Sequence, residues 1–197
     1  VPSEVQDEIV LEDTFWGEPA TSSVRHDSDL VLKRPATDLI VHGDACAPWE
    51  HPVAMVPVSL AWCGRVIKRL EVHGDRFWRR SVAGWTPSSA APFVRLPVVY
   101  DRAYGGSDET DSEPRNRVGM GFAPGDRPPP GGFGCIARDW APRVSFAGTY
   151  DQPWLDARFP LLPDDFDERF FNAAPPEQWV DPPTGGEQIV VTGMTPE

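Results

Sequence analysis

Between residues 53 and 82 the apolar positions recur at every second residue. Val56, Val58, Leu60 and Trp62 fall at period two and so share one face of a strand. Cys63-Gly64-Arg65 makes a tight connection. Val66 to Val72 returns, with Leu70 and Val72 on one face and Ile67 and Arg69 on the other. His73-Gly74-Asp75-Arg76 turns again, and Phe77 to Val82 is expected as a third strand. Short turns between such runs predict an antiparallel meander.

Elsewhere the pattern is more broken. Acidic and apolar positions alternate in residues 1–30, which read as an edge strand or an N-terminal arm divided at Gly17-Glu18-Pro19. Lys33-Arg34-Pro35-Ala36-Thr37-Asp38 reads as a turn, and Leu39-Ile40-Val41-His42 as a strand stopped by Gly43-Asp44. Residues 91–100 look extended, with Pro92 and Pro97 marking an edge or bulged strand. Residues 107–134 are expected as irregular loops. Asp151 can cap a helix with Pro153 in its first turn, ending near Phe159 because Pro160 disfavours α geometry before it. A second short helix is expected from Asp164 or Asp165 to Phe171, and a last strand from Glu187 to Thr192. The expected fold is mainly β, an antiparallel sandwich or half-barrel with long Pro/Gly-rich loops and one or two short helices after residue 150. The whole chain, 1–197, is read as a single domain.

Composition sharpens this picture. Hydrophobic residues make up 40% of the chain, with eight tryptophans, which is ample for a packed core. The 23 prolines and 17 glycines favour short strands and long turns over long helices. A net charge of −12 argues against a phosphate-tracking protein, so neither nucleic acid nor an anionic membrane is an expected partner. No apolar run is long enough for a membrane span, and the N-terminus has neither the basic start nor the apolar core of a signal peptide. The chain opens without an initiator Met, so a trimmed chain is expected. Cys46, Cys63 and Cys135 are sparse and odd in number, which suits a reducing compartment and ordinary thiols.

Residues 159–178 are unusual in composition: prolines, acids and phenylalanines crowd a stretch too proline-rich for a regular element and too aromatic for a disordered tail. Asp164, Asp165, Asp167 and Glu168 form the densest acidic cluster. Paired carboxylates can hydrolyse glycosides or bind a hard cation, but this cluster lacks the turn Gly of a calcium loop and fits the first turn of a helix. His26, His42, His51 and His73 occur singly, without zinc-hydrolase spacing. The glycine-rich stretches at 105–106, 119–121 and 131–134 precede no Lys-Ser/Thr and no long helix, so they read as turns rather than phosphate cradles. No catalytic residue, metal site or cofactor site is therefore assigned. The tryptophans read mainly as core and loop anchors, with a partner groove as the second reading.

Several segments, taken in order, resemble a bacterial family. They are Ser28-Asp29-Leu30, Lys33 to Ala45, Val72 to Trp78, Pro92 to Gly106, Asn116 to Phe122, Gly132-Phe133-Gly134, Gly148 to Asp151 with Trp154-Leu155, and Phe159 to Gln178. Together they resemble the "domain of unknown function 2169" family, found beside type VI secretion spike, PAAR-tip and pentapeptide-repeat proteins. The motif residues include Lys33, Pro35, Thr37, Asp38, Gly105, Gly106, Asp164, Asp165 and Asn172. Arg117 stands where the family pattern has Pro. The chain also stops at Glu197 where further strands are expected, which reads as a short member or a fragment.

The resemblance implies a non-enzymatic, cytoplasmic bacterial adaptor or chaperone that binds a type VI effector and assists its loading on the secretion spike. Its expected partners are a protein effector and a spike or PAAR-tip protein. Tyr100, Tyr104, Trp154, Phe170 and Phe171 are the expected partner-binding residues. The alternatives are a carbohydrate-active hydrolase using the acids at 164–168 and a structural module of the secretion apparatus.

Overall fold

The computed structural model describes residues 8–82, 84–123 and 128–197. Residues 1–7 of the expected N-terminal arm and 124–127 of the expected loops lie outside the described residues. The strands are β1 (Thr14–Phe15), β2 (Val24–His26), β3 (Thr37–Asp38), β4 (Gly43–Cys46), β5 (Met55–Trp62) and β6 (Arg65–His73). They continue with β7 (Trp78–Ser81), β8 (Gly84–Pro87), β9 (Arg95–Pro97), β10 (Trp179–Val180), β11 (Ile189–Thr192) and β12 (Met194–Pro196). Two short helices, α1 (Ala141–Val144) and α2 (Gln152–Ala157), fall between β9 and β10. The fold is mainly β and sandwich-like, its named strands pair antiparallel, and no sheet among the described residues closes into a barrel.

The chain forms two compact units. The first comprises Ile40–Gly134 and Pro183–Glu197. Its centre is the β5–β6 hairpin the alternation predicts, running from Met55 opposite His73 to Trp62 opposite Arg65. Val56, Val58 and Leu60 are buried and their neighbours Met55 and Pro57 exposed, so one face of β5 faces the core. Each such Val or Leu stabilises the unit by about 1.5–3 kcal/mol. The expected C-terminal strand exists as β11 and pairs with the other side of β5. The chain then turns at Gly193 (φ 75°) into β12, which pairs with β4. A Cβ at Gly193 would lie 2.3 Å from the Pro57 carbonyl oxygen, so only glycine passes this corner. β9 pairs with the far side of β4 as an edge strand, in keeping with Pro97. Ala45, Val98 and Met194 are buried around this second sheet.

Two expectations for this unit need correction. Residues 77–82 do not continue the meander: Trp78–Ser81 pairs with Gly84–Pro87 as a separate hairpin. The chain leaves the sheet at Gly74, where a Cβ would collide with the Ala91 carbonyl, and Ala91 N–H binds the Asp75 carbonyl instead. Residues 39–42 are not a strand either. Leu39 and Val41 donate to two unconnected acceptors, the carbonyls of Gln178 and Phe133, so no ladder runs along them. The strands form on either side, as β3 and β4.

The second unit comprises the described residues up to Leu39 together with Cys135–Pro182. β1 pairs with β2, and β3 with β10. Trp140, Val24, Ile136, Ala173 and Ala174 are buried in it. So is Cys135, whose thiol burial pushes up to about 12, making it an inert packing residue. Asp27 and Arg143 meet inside this core with side chains 2% and 1% exposed, Arg143 Nη1 donating to Asp27 Oδ1 over 2.9 Å. Arg34 and Arg138 approach the same carboxylate at 3.4 Å. α2 is the helix expected after Asp151, whose carboxylate accepts Trp154 N–H at 3.0 Å. The helix expected from Asp164 or Asp165 is instead a 3-10 turn, Glu168–Phe171, capped by Asp167. α1 precedes residue 150 and was not expected from the pattern.

Two expected outcomes follow from these interactions. Asp27→Ala leaves Arg143 buried beside no carboxylate, and urea denaturation should show a loss of about 3–5 kcal/mol; an unchanged midpoint would remove the pair from the unit's foundations. In the first unit, Glu187 accepts Thr184 N–H, Thr184 Oγ1–H and Gly185 N–H at 2.7 Å each. These bonds, the Thr184 hydroxyl foremost, hold its carboxyl down to about 2 from an ordinary 4.5. The folded pKa lies below the unfolded one, so the contribution is complete above about 4.5 and is lost as pH falls through about 2. The amide proton shifts of Thr184 and Gly185 should titrate across that window, and E187Q should abolish the titration.

Candidate functional site

Residues 159–178 form a clasp over the second unit, held at three levels. Arg143 reaches out from the core, its Nε donating to the Phe170 carbonyl at 3.0 Å and its Nη1 to the Ile136 carbonyl at 3.1 Å. Next comes Asn172, fully buried, whose Nδ2 donates to the Ala36 carbonyl at 2.8 Å and to Asp38 Oδ1 at 2.9 Å. The other Asp38 oxygen accepts Ala173 N–H at 2.8 Å. Finally, Gln178 Nε2 donates to the Leu39 carbonyl at 2.6 Å while Leu39 N–H returns a bond to the Gln178 carbonyl. The motif residues Thr37 and Asp38 thus form β3 and latch the clasp at once. Lys33 adds an exposed ion pair with Glu168 at 3.1 Å, and Pro35 is exposed.

The phenylalanines of the clasp pack on one another. Phe166, Phe170 and Phe171 stand 5.4–5.9 Å apart, centroid to centroid, and Arg143 lies over the Phe170 ring at 5.4 Å. Phe170 and Phe171 are half-buried, so they anchor the clasp and offer only part of each ring outward.

Trp154 sits differently. Its indole N–H donates to the Leu161 carbonyl at 2.8 Å, and its ring meets Tyr150 and Phe159 edge-on at 4.8 and 5.7 Å. Around this half-buried indole the side chains of Tyr150, Leu155, Phe159 and Leu161 are exposed to 54, 51, 64 and 61%. All four lie within seven residues of Trp154 along the chain and make up an exposed apolar shelf on and around α2. Sequence reasoning found Trp154 but missed these four. The available signal was a helix of six residues with Trp and Leu adjacent, which cannot turn both onto one core.

The acids at 164–168 have separate local partners. Asp164 pairs with Arg158 at 3.0 Å. Asp165 accepts Thr149 N–H at 2.9 Å and the Thr149 hydroxyl at 2.7 Å, which hold its carboxyl below the ordinary range. Asp167 accepts Arg169 Nε at 2.8 Å and is lowered likewise. Glu168 has Lys33. Among the described residues no group of three or more His, Cys, Asp or Glu is placed to hold a metal. No helix among them is long and apolar enough to cross a membrane.

Tyr100 and Tyr104 belong to the first unit and carry its loop. Tyr100 offers no partner surface: it is 3% exposed, with Gly132 closing on its ring at a distance no Cβ would allow. Tyr104 is half-buried, donating its hydroxyl to the Ala123 carbonyl at 2.9 Å and packing edge-on against Trp78 at 5.9 Å. The carbonyls of Tyr100 and Tyr104 both accept from the buried Asn116 Nδ2, at 2.8 and 3.1 Å. Gly105 and Gly106 adopt φ of 153° and 90° against this amide; a Cβ on Gly106 would lie 2.3 Å from the Gly119 carbonyl oxygen. This glycine pair is a close approach of backbone, not an anion cradle.

A family model described as an uncharacterized protein conserved in bacteria, domain of unknown function 2169, matches residues 2–128 and 122–197. No curated protein and no solved structure matches the chain.

The latch has a sharp signature. Asn172→Ala should cost about 1–3 kcal/mol in urea denaturation, through the lost bonds of a buried amide. Asn172→Asp should cost more at neutral pH, because a carboxylate cannot donate and would face Asp38. An N172D protein as stable as the original would remove this residue from the latch.

Proposed function

The chain belongs to this bacterial family, and we propose that it is a non-enzymatic adaptor that holds a protein effector and assists its loading on a type VI secretion spike. The observation that carries the reading is the apolar shelf of Tyr150, Leu155, Phe159 and Leu161. Exposed aromatic and aliphatic side chains, two of them packed on the half-buried Trp154 indole, are the kind of surface that dominates protein interfaces. The shelf stands on a clasp latched by the motif residues Asp38 and Asn172, so those residues would serve binding by holding its base. The acids at 164–168 have salt-bridge and capping partners, which favours a scaffold role for them over the hydrolase alternative. The resemblance supplies the rest: a bacterial cytoplasmic setting, an effector as client, and a spike or PAAR-tip protein as the second contact.

The test is co-purification with the effector encoded beside this protein. Leu155→Asp combined with Phe159→Asp should weaken capture by about a hundredfold, the loss of two interface anchors, with far-UV dichroism unchanged because both side chains are exposed. Deleting the protein should lower effector abundance and secretion. Unchanged secretion on deletion would overturn the adaptor role, and full capture by the L155D/F159D variant would move the contact off the shelf.

A further inference from the structure

The β7–β8 hairpin of the first unit has a chemistry unlike that of the shelf. Residues 76–100 contain Arg76, Arg79, Arg80 and Arg95 and no acidic residue, in a chain of net charge −12. Arg95 is paired with Asp44 at 3.2 Å. Arg76, Arg79 and Arg80 have no carboxylate partner among the described residues. Arg79 instead lies over the Phe77 ring at 4.9 Å, and that ring is 61% exposed. Every residue of β7 and β8 except Trp78 is exposed. The two strands form a sheet of their own, each the other's partner. A hairpin of this kind is marginal in water by itself. This one is held at its root, where Trp78 Nε1 donates to the Gly121 carbonyl and its ring meets Tyr104. Ser88 N–H donates to the Phe77 carbonyl at 2.8 Å to close the ladder.

The ladder's alternation decides which edge is available. Pairing at Phe77/Ser88 makes Arg79/Thr86 and Ser81/Gly84 the other mutually bonded pairs, so the backbone groups of Trp78 and Arg80 point away from β8. On the opposite edge Pro87 has no N–H to offer. β7 is therefore the edge that can take another strand.

We infer that the β7 edge is a docking site for an extended acidic segment of a partner protein, which adds as a third strand and pairs its carboxylates with Arg79 and Arg80. Main-chain bonds supply the register and the arginines the selection. A short acidic strand suits this edge better than a nucleic acid, because the acidic remainder of the chain repels a long polyanion. The inference needs no assumption about secretion.

The experiment titrates the full chain, isotopically labelled, with a short synthetic peptide repeating Glu-Glu-Val-Val, whose adjacent acids reach both faces of the added strand, using a Lys–Val peptide of the same pattern and length as control. The expected result is amide shift changes centred on Trp78 to Ser81, binding that weakens with salt, and none with the Lys–Val peptide. Arg79→Glu with Arg80→Glu should lower affinity at least about tenfold, Arg79→Gln with Arg80→Gln less so, and Arg69→Glu on exposed β6 not at all. Far-UV dichroism checks that each variant is folded. Equal affinity in R79E/R80E, shifts elsewhere, or equal binding of both peptides overturns the site. Tighter binding of a single-stranded oligonucleotide through the same arginines overturns the partner class. A dimer of the free chain that R79E/R80E dissociates replaces the partner with a second copy.

Discussion

The second unit is organised by one buried carboxylate. Asp27 sits in a core where an unpaired charge would cost several kcal/mol, and Arg143 meets it there with a side chain equally hidden. Such a pair adds little net stability over a well-packed apolar pair, but it tolerates only one arrangement. Arg143 places two further donor bonds, Nη1 on the carbonyl of Ile136 and Nε on that of Phe170, while its buried Nη2 finds no acceptor among the described residues. The position of the phenylalanine cluster, and through it the course of the clasp, follows from those guanidinium bonds. The latch of Asp38 and Asn172 extends the same logic to the next residues along the chain.

The shelf is the counterpart of this rigidity. Trp154 spends its one donor on the Leu161 carbonyl and its ring edges on Tyr150 and Phe159, so the surrounding apolar side chains have no core left to enter. A helix of six residues buries little by itself. Its place is set by Asp151 at one end and by the indole in the middle, and its outward side carries Leu155 next to the Gln152–Asp156 hydrogen bond.

What could be read in advance depended on how local each signal was. The β5–β6 hairpin is written in a period-two pattern bounded by a turn, and β11 in a short β-branched run, so both were legible. So was α2, because Asp151 and Pro153 are neighbours of the residues they cap. The strand expected at 39–42 failed for the opposite reason: its β-branched-rich run is sound, but its hydrogen-bond partners are single carbonyls far along the chain. The third strand of the meander failed because the close approach of the Ala91 carbonyl to Gly74 has no trace in hydrophobic periodicity. At the candidate site, the motif residues could be named but not explained. Asp27 and Arg143 were invisible, since nothing in the sequence announces that residues 116 positions apart will share a core.

That separation bears on how the protein must be made. The second unit draws on residues before 39 and after 135, and the first on residues before 134 and after 183. The second unit cannot close before its residues up to Pro182 have emerged from the ribosome, nor the first before those from Pro183 on. The β5–β6 hairpin can form early, since its partners adjoin, but β5 waits for β11 and β4 waits for β12. Asp27 is synthesised long before the arginine that neutralises it. Long-range closure of this kind is slow relative to local pairing and leaves apolar strands uncovered in the interval.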